Sequence, residues 1–255
     1  MNMSDEIQVV DPAAIEPTEP VSGLLERTAL HAGGRGLVVF RVDDETARFR
    51  REGTTYGWVR AGHGTVARPD DERPAELSAG DFLKIPAGTT RRYVAESTSL
   101  DVLVVVDGEP EPTGTDSRIA VGEGSLSVVG PDELEPTAES PELTRETPFP
   151  DEDVLPMRVR AAGGAAAGWH HHSENVYFGY AVDGPSETEY GPDGERVARI
   201  ERGECFHVPP GLVHRDTNPT DEAHTGIVWL CGGEPWVVNV DEPGGSETVS
   251  AAENR

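Results

Sequence analysis

The stretch Gly168-Trp169-His170-His171-His172-Ser173-Glu174-Asn175 sets three of the chain's eight histidines side by side, far from either end. On a strand, residues two apart share a face, so His170 and His172 would project together while His171 turns away. Two imidazoles on one face are half of a metal site, and a third donor from another strand would close it. One candidate is His214, which follows a tight Pro209-Pro210-Gly211 turn. Strand alternation would also put Glu174 on the face of His170 and His172, unless the chain bends there. Three neutral imidazoles suit iron, zinc, copper or nickel, and affinity alone does not choose among them. Such binding should weaken as pH falls through about 6.5, because each ligand must first lose its proton. His207, in Cys205-Phe206-His207-Val208, shares a strand face with Cys205; lining a cavity, it could act as an acid or base, and between strands it would simply be packed.

The segments that must position these residues are short and rich in Val, Ile and aromatics, and Gly, Pro and Asp separate them. That pattern predicts an all-β chain. Residues 190–197, YGPDGERV, predict a hairpin with its turn at Pro192-Asp193-Gly194. The chain is also written twice. IQVVDPAAIEPT (7–18) returns as LSVVGPDELEPT (126–137), YGWVRAG (56–62) as FGYAVDG (178–184), and GDFLKIPAG (80–88) as GECFHVPPG (203–211). Tandem duplication of one domain is the reading. The boundaries it suggests are a tail with the first strand of the repeat (1–20), a first domain (21–109), a linker (110–125), a second domain (126–243) and a frayed tail (244–255).

Two stretches of the second copy carry a family resemblance. Gly164, five residues, His170, one residue, His172 and later Gly184 form the first; Gly203, five residues, Pro209-Pro210-Gly211, two residues, His214, three residues and Asn218 form the second. They resemble the two signature motifs of the cupin superfamily. The resemblance implies two tandem double-stranded β-helix (jelly-roll) barrels, a bicupin, with one divalent metal held in the second barrel by His170, His172 and His214. The family's usual glutamate falls on Val176 or Tyr177. Tyr177 is therefore assigned to substrate rather than metal, and Glu174 is the alternative fourth ligand. In the first copy the histidine positions land on or beside Arg48 and Arg50, and on Arg91, with Ala95 in place of Asn218. Arginine is not a metal ligand at ordinary pH. These arginines either line an anion-binding barrel or turn outward to the acidic surface, and the second reading is preferred.

Composition narrows the partners. With 47 acidic against 21 basic residues, a formal charge of −26 and Lys84 as its one lysine, the chain repels nucleic acid and anionic membranes. That balance resembles proteins of salt-accumulating haloarchaea. Two cysteines are too few for a disulfide framework, no apolar run reaches membrane-spanning length, and a cytoplasmic location is expected. The function expected is a mononuclear metal-dependent enzyme of dioxygenase type acting on a small molecule. Fe2+ is the first choice of metal, ahead of Zn2+, Mn2+, Ni2+ or Cu2+, and the protein could form a homo-oligomer. A non-catalytic small-molecule binder or sensor, or a metal-dependent isomerase or lyase, is the alternative.

Overall fold

The computed structural model describes residues 6–69, 71–115, 124–139 and 142–243. The expected tail at 244–255 lies outside them. Among the described residues there is one helical turn, Pro12–Ala14; the rest of the regular structure is strand. No helix is long and apolar enough to cross a membrane.

Two seven-stranded antiparallel sheets dominate, and they have the same order. One runs Gln8–Val10, Cys205–Val208, Val176–Ala181, His224–Cys231, Val154–Ala161, Leu143–Thr147, Glu135–Glu139. The other runs Ser127–Val129, Phe82–Ile85, Thr54–Ala61, Leu100–Asp107, Arg35–Val42, Leu24–Ala32, Thr18–Val21. The hairpin expected at 190–197 is present: Ser186–Tyr190 pairs with Arg196–Ile200 around Gly194, whose φ of 69° a glycine adopts freely.

The chain divides into two compact units, Pro12–Leu134 and Met1–Asp11 with Glu135–Arg255. Each repeat thus lends its opening strand to the other unit. Gln8–Val10 pairs with His207–Cys205, and Ser127–Val129 pairs with Lys84–Phe82. The repeat boundaries put residues 126–134 with the second domain, whereas in the structure they belong with the first. A sequence repeat records which residues are alike, and the open sheet edge records which strand they pair with. Part of the expected linker is also paired, since Thr113–Gly114 lies against Phe49–Arg50.

Each unit fills its own barrel with apolar side chains. Alternate residues Val38, Phe40 and Val42 meet Val102, Val104 and Val106 in the first core. Leu155, Met157, Tyr177, Phe206, Val208 and Val228 form the second. Burying a side chain of this size contributes about 1.5–3 kcal/mol, so these cores hold the strands that carry the site. Gly179 is required where it stands, because an added Cβ would lie 2.1 Å from the Phe206 ring.

Candidate metal centre

His170 and His214 face each other across an antiparallel pair, Cα to Cα in register. Gly211, with φ 70°, makes the turn that brings the His214 strand into place. His172 lies just beyond the end of its strand, and the chain then bends: Ser173 takes φ 51°, Asn175 N–H donates to His172 O (2.9 Å) and Gly211 N–H donates to Ser173 O (2.6 Å). His171 turns away as alternation requires, its Nδ1 accepting from Ser173 N–H (3.0 Å).

The three rings converge. Centroids are 5.0 Å apart for His170 and His172, 4.4 Å for His170 and His214, and 5.1 Å for His172 and His214. Each ring spends Nδ1 on a backbone carbonyl: His170 on Gly168 (2.8 Å), His172 on Trp236 (2.7 Å) and His214 on Leu212 (2.8 Å). A carbonyl only accepts, so Nδ1 carries the proton and Nε2 presents a lone pair. Nε2 of His172 and of His214 is buried without a hydrogen-bond partner. The ligand atoms of the three histidines all lie within 4.8 Å of one another. Buried polar atoms normally find partners. Three imidazoles with oriented lone pairs, two of them at His172 and His214 with nothing protein-borne to satisfy them, are a fitting donor set for a divalent transition ion.

Electrostatics favour neutral rings at His170 and His172. Burial, then repulsion from His214, lowers the His170 pKa to about 4. Burial, then repulsion from His214 and His170, holds His172 well below the ordinary histidine value. Tyr177 packs edge-on against His172, with centroids 4.6 Å apart. Burial, with nearby Asp216 adding, keeps its phenol protonated well above the ordinary value.

Glu174 does not join the cluster. The bend at Ser173 breaks strand parity and leaves Glu174 exposed on the turn. His207, expected either to line a cavity or to be packed between strands, takes the packed place. It lies between Phe206 and Val208, which face the core with Tyr177, so it points to the opposite side. There it packs on Phe178 (5.3 Å), and its Nδ1 bonds the Tyr177 carbonyl (3.1 Å). Asn218 is a structural post: its amide donates to Ala161, Ala162 and Glu222 carbonyls, and its oxygen accepts from Thr220.

Two charged neighbours escape a motif-based reading. Asp216 stands 4.0 Å from His214 Nε2 and is held by a hydrogen bond from Thr188 Oγ1 (2.8 Å). Its only sequence signal is its place two residues beyond His214 on one strand. Arg145 pairs across to the core residue Val159, and His170, His172 and Tyr177 all feel its charge. Nothing local in the sequence marks it. A cavity of about 60 Å³ opens beside Tyr177 and Asp216, walled by Val159, Ala161, Phe206 and Val228.

In the first unit, Phe49 pairs with Arg91 as His170 pairs with His214. The repeat offset lands on or beside Arg48 and Arg50, and the strand pairing sets the neighbouring Phe49 in the place of His170. Arg50 is half-buried beside Glu52 near the surface. Arg91 does not turn outward as expected, and neither does Arg51; both are fully buried. Among the described residues no metal-type cluster lies here.

With two barrels of one strand order and a three-histidine centre in the second, the comparison with known proteins is direct. Residues 157–231, which hold all three histidines, match the Cupin domain family. The chain has a bicupin fold. A mutant of Bacillus subtilis oxalate decarboxylase superposes with a TM-score of 0.72 at 14% identity, covering 93% of this chain and 81% of that one. Procruciferin, an 11S globulin from Brassica napus, gives 0.72 at 10% identity over 92% and 86%. Vicilin from hazelnut, Corylus avellana, gives 0.69 at 12% identity over 91% and 87%. No curated protein sequence matches this chain.

Proposed function

We propose that the second barrel binds one divalent metal through His170, His172 and His214 and serves as a mononuclear metal-dependent enzyme on a small molecule. Dioxygenase-type oxidation is the reaction class and Fe2+ the metal. The observation that carries the reading is the pair of buried, unpartnered Nε2 atoms on His172 and His214, each ring fixed by a carbonyl behind it. A bound ion would supply Lewis acidity and, as iron, reactivity toward dioxygen. Three protein ligands leave coordination positions for small molecules.

The chain's own residues supply the rest. Tyr177 keeps its proton and can donate a hydrogen bond to a substrate oxygen. Asp216 offers an acceptor in the lining of the same cavity, and Arg145 gives an acidic substrate a positive field. The apolar wall of Val159, Ala161, Phe206 and Val228 excludes water and limits the substrate to a few heavy atoms.

Studies of the Mn(II) centres of Bacillus subtilis oxalate decarboxylase, a protein of similar fold at 14% identity, make Mn2+ the second metal to test. The test is to load the metal-free protein with Fe2+ or Mn2+ and offer small carboxylic acids with and without air. Oxygen uptake that needs both Fe2+ and substrate supports the proposal. Turnover with Mn2+ in the absence of oxygen overturns the oxidation in favour of lyase or isomerase chemistry. Saturable binding with no turnover under either condition overturns the enzyme in favour of a sensor.

A further inference from the structure

The first barrel buries a charge cluster that the metal chemistry does not use. Arg51 donates to Glu26 (2.6 Å), and both side chains are almost wholly removed from solvent. Arg91 donates to Thr55 Oγ1 (3.0 Å) and to Thr89 O (3.4 Å), stands 4.9 Å from the Phe49 ring and interacts with Tyr93. Two permanent cations thus share one buried carboxylate; the other acid near Glu26, Glu111, is exposed. Desolvation is the largest influence on Arg91, bringing its pKa to about 10, and repulsion from Arg51 adds to it.

Several donors in this barrel have no partner. Arg51 Nε and Nη1, Arg91 Nε, Thr89 Oγ1 and Thr90 Oγ1 are all buried and unpaired. All four residues are at most 1% exposed. Leaving a buried polar group unsatisfied is costly, and more so for a charged one. The set is uniform: NH and OH donors around a net positive charge of one. Its complement is a small monoanion with acceptor oxygens, and a guanidinium fork matches a carboxylate in particular.

We propose that the first barrel is a receptor for a small monocarboxylate, held between Arg51 and Arg91 with the Thr89 and Thr90 hydroxyls completing the site. It is a binding site independent of the metal centre. The barrel without lone-pair donors carries the opposite capability.

The test uses the full chain and thermal unfolding in sodium formate or sodium acetate, with ionic strength held constant by sodium chloride. A ligand that binds only the folded state raises the melting temperature as its concentration rises above its Kd. The expected result is a rise beyond that in chloride alone, with titration calorimetry showing about one carboxylate per chain. Arg91→Met should weaken binding at least about tenfold, the loss of one charge-assisted interaction of about 1.5–3 kcal/mol. Thr90→Val keeps every charge, and should weaken binding several-fold even if Arg91→Met fails to fold. Repeating the titration with chelator present, and in a His172→Ala, His214→Ala variant, separates this site from a carboxylate held by metal in the other barrel. No effect beyond chloride in the native protein, unchanged binding in Thr90→Val and Arg91→Met, or loss of binding with the two histidines would each overturn the proposal.

Discussion

In the second unit, the cross-strand pair at the centre of the barrel is His170 with His214; in the first it is Phe49 with Arg91. Around each pair the same strands bring different groups. Tyr177 pairs with Val208 and Thr55 with Ile85, each just before the proline of its turn. Asp216 follows His214 by two residues, and Tyr93 follows Arg91 by two. Arg145 pairs across to Val159, and on the corresponding strands Glu26 pairs across to Phe40. One barrel therefore collects neutral rings with inward lone pairs, and the other collects permanent donors. The apolar shell sets the fold in both, and a handful of interior positions sets what each can bind. Neither interior is a relaxed apolar core, so each has something to lose.

The largest effect tests the contrast directly. The native protein should hold about one divalent metal per chain, and a His172→Ala, His214→Ala variant almost none, as read by elemental analysis after dialysis. A stoichiometry near two would mean the arginine barrel also holds metal. Full retention in the double variant would remove the histidine site.

The converse experiment breaks the charge pair in the first barrel. Arg51→Met leaves Glu26 buried without its bonded partner and should cost about 3–5 kcal/mol in denaturant unfolding. Replacing both residues by apolar ones should cost much less, because no lone charge remains. Metal content in the second barrel should not change in either variant. Equal losses in the single and double variants would show that the pair contributes nothing specific.

How much of this contrast the sequence could reveal depended on the kind of signal. Strands such as Leu100–Asp107 and His224–Cys231 were legible because β-branched runs bounded by turn residues have few other solutions. His170, His172 and His214 were legible because alternation and a proline–glycine turn fix their common direction. Glu174 misled because the bend at Ser173, a left-handed residue that is not glycine, has no compositional mark. Arg51 was missed because the repeat offset slips near the first motif, where a single residue decides between core and surface. Arg145 and Glu26 could not be found at all, since only long-range strand pairing brings them inward. The exchange of opening strands is illegible for the same reason: both edges offer the same ladder.

Acid should separate the barrels next. The folded state keeps His170 neutral down to about 4, whereas an unfolded chain takes up the proton near 6.5. The unfolded state binds more protons in that window, so stability is full above about 6.5 and falls as pH drops toward 4. For His170 alone the loss is on the order of 3 kcal/mol in metal-free protein. Metal should correspondingly stay bound well below pH 6.5, a lower limit than free imidazoles would set. A stability profile unchanged by His170→Gln in that window would contradict the burial argument.

A smaller effect follows from Tyr177. With its phenol held protonated, it is a poor ligand, so Tyr177→Phe should leave metal content unchanged. It should weaken substrate binding or turnover by about tenfold, the value of one hydrogen bond of about 1–1.5 kcal/mol. Loss of metal in this variant would make the phenolate a ligand and rewrite the donor set.

The smallest effect is the null one, and it sharpens the count of charges at the centre. Were Glu174 a ligand, its carboxylate would offset half of a divalent charge and hold metal to lower pH than three imidazoles can. The bend carries it into solvent instead, where any influence on the ion is screened by water and salt. Metal retention against pH should therefore superimpose for the native protein and Glu174→Gln. Asp216 stands 4.0 Å from His214 Nε2, and Asp216→Asn should displace the curve where Glu174→Gln does not. A displaced Glu174→Gln curve would require the turn at Ser173 to refold when metal binds.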